Sequence, residues 1–150
     1  MLVLKTRLPF DISSSGGLSA EGFDLQPDNK VRVAMAGEGL KLDSVSLNRH
    51  EIILAGGDGF ISINKKKYRG TAKVVIDDNY MLVINALPLE QYLFGVVPSE
   101  ISPSWHENAL KAQAVAARTF AANKIINNKN PLYDLDNTTA SQVYNCYSVE

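Results

Sequence analysis

Glu100 has the setting in this sequence that most invites chemistry. It lies in Val96-Val97-Pro98-Ser99-Glu100-Ile101, between Pro98 and Pro103, with Trp105 close behind. The two prolines place it in a loop between helices. A carboxyl walled there by Ile and Trp side chains would lose hydration, which disfavours its charged form and raises its pKa toward that of a general acid. The competing reading is a surface carboxylate beside a helix start, and composition alone favours it. Lys111 and Arg118 come next. At about 100° per residue they fall within about 20° of each other on one helix face, roughly 10 Å apart along the axis. Glu107 precedes Lys111 by one helical turn and can pair with it. Spacing alone favours a solvated face over a cationic site wall. Gln113 lies across the helical wheel beside Ala109, Ala116 and Phe120, where a buried amide with local hydrogen bonds is the usual reading.

Other chemistry-bearing residues carry less. His50 and His106 are unpaired, and His106 stands where a helix begins. Cys146, the sole cysteine, excludes an internal disulfide and a multi-cysteine metal cage, and reads as a bystander thiol. Gly37-Glu38-Gly39 lacks the third glycine of a dinucleotide loop. Lys65-Lys66-Lys67 reads as the solvated end of a hairpin. Asn137-Thr138-Thr139 fits a glycosylation sequon, a pattern that unmodified sequences share.

The elements that must position these groups divide the chain in two. Up to Ile84 it is rich in β-type runs. Lys30–Ala36 alternates Val31, Val33 and Met35 with Arg32 and Ala34. Leu40–Leu47 alternates less cleanly. Glu51–Ala55 and Phe60–Ile63 flank Gly56-Gly57-Asp58-Gly59, which reads as a tight turn. Lys67–Arg69, Ala72–Ile76 and Tyr80–Ile84 follow, with Asp77-Asp78-Asn79 as the last turn. Residues 1–29 read as an N-terminal extension whose Ser/Gly-rich stretch Asp11–Gly22 is flexible. From Pro88 the chain turns helical. Leu89–Val96 has helical spacing and Pro98 ends it. Glu107–Asn127 is one long helix with seven alanines; small or apolar residues all round it predict a central, buried helix. The fold class is therefore α+β: a mainly antiparallel β N-terminal half packed on a central Ala-rich helix.

Composition bounds the function. At 150 residues, with 45% hydrophobic and 21% charged residues, the chain has the makeup of one globular domain rather than of a disordered, fibrous or coiled-coil protein. A formal net charge of -1 gives no overall attraction for nucleic acid or an anionic membrane. No apolar run is long enough for a transmembrane helix. Met1–Phe10 places Lys5, Arg7 and Pro9 where a secretory signal needs its apolar stretch, so the expectation is a cytosolic protein or a trimmed fragment of an exported one.

The run from Tyr68 onward resembles the stage II sporulation protein D family, the SpoIID/LytB domain of bacterial cell-wall remodelling. The resemblance runs through Tyr68-Arg69-Gly70 and Leu82-Val83-Ile84-Asn85. It is dense from Leu87 to Glu100 (LPLEQYLFGVVPSE) and, after Trp105, from Ala109 to Phe120 (ALKAQAVAARTF). It closes at Tyr133-Asp134-Leu135, Thr138-Thr139 and Gln142-Val143-Tyr144. What the resemblance implies is a lytic transglycosylase. Such an enzyme cleaves the β-1,4 bond between N-acetylmuramic acid and N-acetylglucosamine in peptide-stripped strands of peptidoglycan, leaving 1,6-anhydro ends. The family's catalytic Glu falls on Glu100, acting as single acid/base. Lys111, Gln113 and Arg118 match positions that build the active-site region and would bind substrate. Other family members imply the alternative, a non-catalytic enhancer of a cell-wall amidase, with that amidase as partner. Location in the cell envelope, outside the cytoplasm, follows from the same resemblance, and no cofactor is implied. The family's Cys/His/Cys metal-binding segment is replaced here by Asp136, Ala140 and Ser141, so no metal is expected. The family domain also continues past Gln142-Val143-Tyr144, so residues 30–150 read as an incomplete SpoIID-like domain.

Overall fold

A computed structural model describes residues 1–23, 25, 29–138 and 141–149, which divide into two compact units. The sheet unit, Val3–Ala86, contains β2 (Phe10–Ser13), β3 (Leu18–Ala20), β4 (Lys30–Ala36), β5 (Gly39–Leu42), β6 (Val45–Ser46), β7 (Glu51–Ile63), β8 (Lys66–Asp77) and β9 (Tyr80–Ala86), with most of β1 (Leu2–Thr6). The strand order is β1-β9-β8-β7-β2-β4-β5-β6, with β3 also paired to β7. The pairings from β2 to β9 are antiparallel. The fold is α+β with a β-rich N-terminal half, as the sequence pattern implies.

Alternation builds the core. Ile12, Val31, Val33, Leu54, Ile61, Ile63 and Val74 turn inward and are almost wholly buried. In β9 the run Met81–Asn85 is buried throughout, as in a strand with neither face to water. Two two-residue turns link β7, β8 and β9. Asn64 and Lys65 join Ile63 to Lys66, and Asp78 and Asn79 join Asp77 to Tyr80. All four turn residues have positive φ, which fits the right-handed twist of the flanking strands.

Two expectations fail here. The described part of the 1–29 segment, whose sequence reads as a flexible extension, supplies β1, β2 and β3. Ser14 and Ser15 both donate to the Asp58 carboxylate, which ties this Ser/Gly stretch to β7. Nor do Gly56–Gly59 form a turn. β7 runs through them as a bulge, its register with β8 shifting between Ala55 and Phe60. A Cβ on Gly56 would lie 1.8 Å from the Phe60 carbonyl oxygen, and one on Gly57 would lie 2.3 Å from that of Gly16. These glycines serve close backbone approach, a use that sequence does not distinguish from a turn. Opposite the bulge β8 passes through Gly70, φ +78°. There the buried Asn85 amide donates to the carbonyls of Arg69 and Thr71 at 2.8 and 3.1 Å.

The helical unit comprises Met1–Leu2 and 87–150. It contains α1 (Leu89–Glu100) and α2 (Glu107–Ile126), with a 3-10 turn at Tyr147–Val149. Pro98 does not end α1. It occupies the last turn, and the Ile101 amide still bonds the Val97 carbonyl at 3.1 Å. His106 caps α2, its Nδ1 accepting from the Asn108 amide at 3.2 Å. The expected burial of α2 is corrected: only Ala117 and Ala121 are buried, whereas α1 buries Tyr92, Leu93, Gly95 and Val96. Alanine is abundant in α2 because it favours helix, and its small side chain imposes little demand for burial. A contrast follows. Ala117→Leu should overpack and cost about 1–3 kcal/mol in urea denaturation, while Ala116→Leu on the exposed side should stay within about 0.5 kcal/mol of the parent.

Candidate functional site

Glu100 is the last residue of α1 rather than a loop residue, and its side chain is exposed. The apolar wall expected around it does not bury it, and Trp105 is itself 57% exposed. A carboxylate at the C-terminal end of a helix meets the negative pole of the helix dipole, which costs about 0.3–1 kcal/mol. One contact offsets this placement: Oε1 accepts a hydrogen bond from the Val143 backbone amide at 3.0 Å. The carboxyl is thus exposed and held in orientation at the end of a helix.

The segment Gln142–Tyr144 makes that contact and is itself held by α1 and α2. Tyr144 is buried, with its ring 5.2 Å from that of Tyr92 and tilted by 30°. Its amide donates to Asn137 Oδ1 at 3.3 Å. The Tyr92 hydroxyl donates to Gln142 Oε1 at 3.2 Å, and Gln142 Nε2 donates to the Ala117 carbonyl at 3.4 Å. One buried amide therefore links a phenol on α1 to the backbone of α2, satisfying polar groups that are costly to bury unpaired. Burial first, and then the nearby Glu100 charge, hold the Tyr92 phenol well above its ordinary pKa. Tyr92 and Gln142 stand within the motif runs, yet nothing in their spacing shows that they meet, because 50 residues separate them.

The other expected residues occupy different settings. Lys111 pairs with Glu107 at 2.6 Å, both largely exposed, which is the ordinary helix pair that spacing favoured. Arg118 forms a fork with Glu90, Nε to Oε1 at 2.7 Å and the second nitrogen to Oε2 at 2.8 Å, which joins α2 to the first turn of α1. Gln113 is half-buried. Among the described residues, the ion pairs of Lys111 and Arg118 are thus with Glu107 and Glu90, not with Glu100. Glu90 was missed because it lies 28 residues from its partner, and no local pattern joins them.

The Glu90–Arg118 fork carries a pH dependence. Hydrogen bonding from Arg118 holds the Glu90 carboxyl below its ordinary pKa. A depressed folded-state pKa contributes stability above the unfolded-state value, and this is lost as pH falls through the folded one. Arg118→Ala should therefore lower the Tm at neutral pH. The difference from the parent should vanish in melts run well below the usual carboxylate pKa of about 4.3.

Of the three positions matching the family's metal segment, Ala140 lies outside the described residues. The Asp136 carboxylate accepts from the Thr138 amide at 3.1 Å and from its hydroxyl at 2.5 Å. Asp136 and Ser141 line a polar cavity of about 470 Å³ with Asn123, Lys124, Asn127 and Asp134. No helix among the described residues is long and apolar enough to cross a membrane.

Comparison with known proteins places this geometry. The family described as "SpoIID: Stage II sporulation protein" matches residues 77–150, a span containing α1, α2, Glu100 and Gln142–Tyr144. An uncharacterised protein of Brachyspira hyodysenteriae is 37% identical over 149 residues, covering 93% of this chain and 40% of that protein. The stage II sporulation protein D of Bacillus subtilis is 43% identical over 65 residues, covering 41% of this chain and 19% of that protein. An amidase enhancer of Bacillus subtilis is 34% identical over 152 residues, covering 91% of this chain and 20% of that protein. The chain thus spans less than half the length of these relatives. No solved structure matches it. Through residues 77–150, with the helix pair and the Glu100-bearing motif that they hold, the chain belongs to the stage II sporulation protein D (SpoIID) family.

Proposed function

We propose that this chain contributes the acid/base carboxyl of a peptidoglycan lytic transglycosylase, and that the carboxyl is Glu100. The supporting observation is its placement, exposed at the end of α1 and oriented through Oε1 by the Val143 amide. Hydrolytic glycosidases ordinarily need two carboxylates, one to protonate the leaving oxygen and one as nucleophile or base for water. When the sugar's own 6-hydroxyl is the nucleophile, one carboxyl suffices. The protonated group donates its proton to the glycosidic oxygen as the bond to C1 breaks. The 6-hydroxyl oxygen then bonds C1 and its proton returns to the carboxylate, giving a 1,6-anhydro ring with the acid regenerated. Glycan strands of the cell envelope are the corresponding substrate, which places the protein outside the cytoplasm. Lys111, Gln113 and Arg118 act in this reading as substrate-binding residues. Lys111 contacts Glu107 on the α2 surface and Arg118 contacts Glu90 on α1, so Arg118 supports the site through Glu90 as well.

A second reading has its own support. The similarity to an amidase enhancer extends over 91% of the chain, well beyond the motif region. In that reading the domain binds glycan or an amidase without cutting. Incubation with peptide-free glycan strands, followed by mass spectrometry of the products, separates the two. Anhydromuramic ends establish the transglycosylase. Intact strands, together with stimulation of an added amidase, establish the enhancer.

A further inference from the structure

The connector between α1 and α2, residues 101–106, carries the one tryptophan of the chain, Trp105. Hydrogen bonds hold this short segment along its length. The Ile101 amide bonds the Val97 carbonyl at 3.1 Å, so the connector is tied to α1 where it leaves the helix. The Trp105 amide bonds the Ser102 carbonyl at 3.0 Å. This closes a turn with Pro103 at its second position, where the fixed φ of proline is favoured. The Ser102 hydroxyl oxygen accepts from the Ser104 amide at 3.3 Å and lies 2.8 Å from the Ser104 hydroxyl oxygen. His106 then caps α2. Polar contacts thus fix the connector, while the indole stays largely in water. Among the described residues its ring has no aromatic or cationic partner and its N–H no acceptor.

A lone exposed apolar side chain is ordinary on a protein surface. This one differs in its place. Ser102 is two residues past Glu100, and the turn brings Trp105 within about 7 Å of Ser102, so the Glu100 and Trp105 Cα atoms lie within about 15 Å. One extended ligand of a few sugars reaches both the exposed carboxyl and the exposed indole. The indole face is broad, rigid and electron-rich. A β-1,4-linked N-acetylglucosamine ring carries all its substituents equatorially. Its faces therefore present axial C–H bonds, slightly positive at hydrogen, while its hydroxyls stay at the rim. Such a ring stacks flat on an indole, with the exposed hydroxyls of Ser102 and Ser104 and the indole N–H near its rim. Because the connector is already held, little backbone freedom is lost on binding.

We propose that Trp105 is a sugar-stacking platform. It takes the face of a β-1,4-linked N-acetylhexosamine near the bond presented to Glu100, and so sets the register of the strand over the carboxyl. This inference rests on the glycan-acting reading above and adds a subsite to it, one that requires binding but not cleavage.

The test uses the whole chain carrying Glu100→Gln, so that no strand is cut, and reads the emission of its one tryptophan. The probes are chitotetraose, peptide-free glycan strands and maltotetraose. Chitotetraose and the glycan strands should shift the emission to shorter wavelength, saturably, as the indole leaves water. Maltotetraose, whose α-linkage sets an axial bond on one face and curves the chain, should bind at least about 10-fold more weakly. Isothermal titration calorimetry then compares variants in the same background. Trp105→Ala and Trp105→Leu should each weaken chitotetraose by about 10-fold or more, while Trp105→Tyr, which keeps an aromatic face, should stay within about 3-fold of the parent. The urea midpoint should hold in all three, because the indole is exposed. Glycan binding without an emission shift, equal binding of maltotetraose, or unchanged affinity in Trp105→Ala overturns the platform. None of these results touches Glu100 if the unsubstituted protein still forms anhydromuramic ends. Strands that shift the emission and need Trp105, yet are never cut by the unsubstituted protein, sustain the platform and remove the transglycosylase reading. Failure of both chitotetraose and glycan strands to bind also overturns the platform.

Discussion

Glu100→Gln should leave the fold and glycan binding intact while lowering the rate of bond cleavage by about 10²-fold or more, the usual worth of a positioned proton donor. The amide is nearly isosteric, and its carbonyl oxygen can still accept the Val143 amide bond that orients the carboxylate. What it loses is the proton to give. The measurement is the initial rate of anhydromuramic end formation from peptide-free strands, compared at equal folded concentration. Equal rates would remove Glu100 from the chemistry. Arg118→Ala is a poorer probe, because it also breaks the fork to Glu90 that joins the two helices.

Gly95→Ala should be the most damaging single-methyl change in the helical unit. In an exposed helix interior this substitution stabilises by roughly 1 kcal/mol, because alanine gives up less backbone freedom on folding. Here the added Cβ would lie 2.7 Å from Tyr144 Cε2, 3.0 Å from its Cδ2 and 3.2 Å from the Asn145 carbonyl oxygen. The Tyr144 ring is buried against Tyr92 and cannot swing away without leaving that contact. Overpacking of this kind costs about 1–3 kcal/mol and outweighs the gain in propensity. The displaced segment also carries Val143, so Glu100 should lose its anchor and catalysis should fall with stability. Urea denaturation of Gly95→Ala, Tyr144→Leu and the double variant checks the argument. The pair should cost clearly less together than the sum of the singles. A Gly95→Ala protein as stable as the parent would show that the tail is loosely held.

The residues differ in how far ahead of the structure they could be read. Lys30–Ala36 and Tyr80–Ile84 declare themselves as strands, and Asp78-Asn79 as the turn from β8 to β9, because alternation and turn chemistry are local. The two helices are legible for the same reason. Gly56–Gly59 misleads, since glycine serves a tight turn and a close backbone approach equally well. The alanines of α2 mislead about burial because helix propensity and burial are separate quantities. In the site, the motif runs single out Glu100, Lys111, Gln113 and Arg118. The partners that fix their geometry come from chain-distant residues: Val143 for Glu100, Glu90 for Arg118, and Gln142 beneath Tyr92. Pair spacing within one helix revealed only Glu107–Lys111.

The place of β1 in the sheet bears on how the chain is made. Its ladder partner is β9, so β1 leaves the ribosome without that partner until residues 7–79 have followed it. An unpaired strand of Leu-Val-Leu character is a template for pairing with another chain. Lys5, within it, and Arg7, just after it, place positive charge beside this apolar run. In the finished sheet both cations lie over the Tyr80 ring, at 4.6 and 4.2 Å. The same two side chains thus act as gatekeepers while the strand waits and as clasps once its partner arrives.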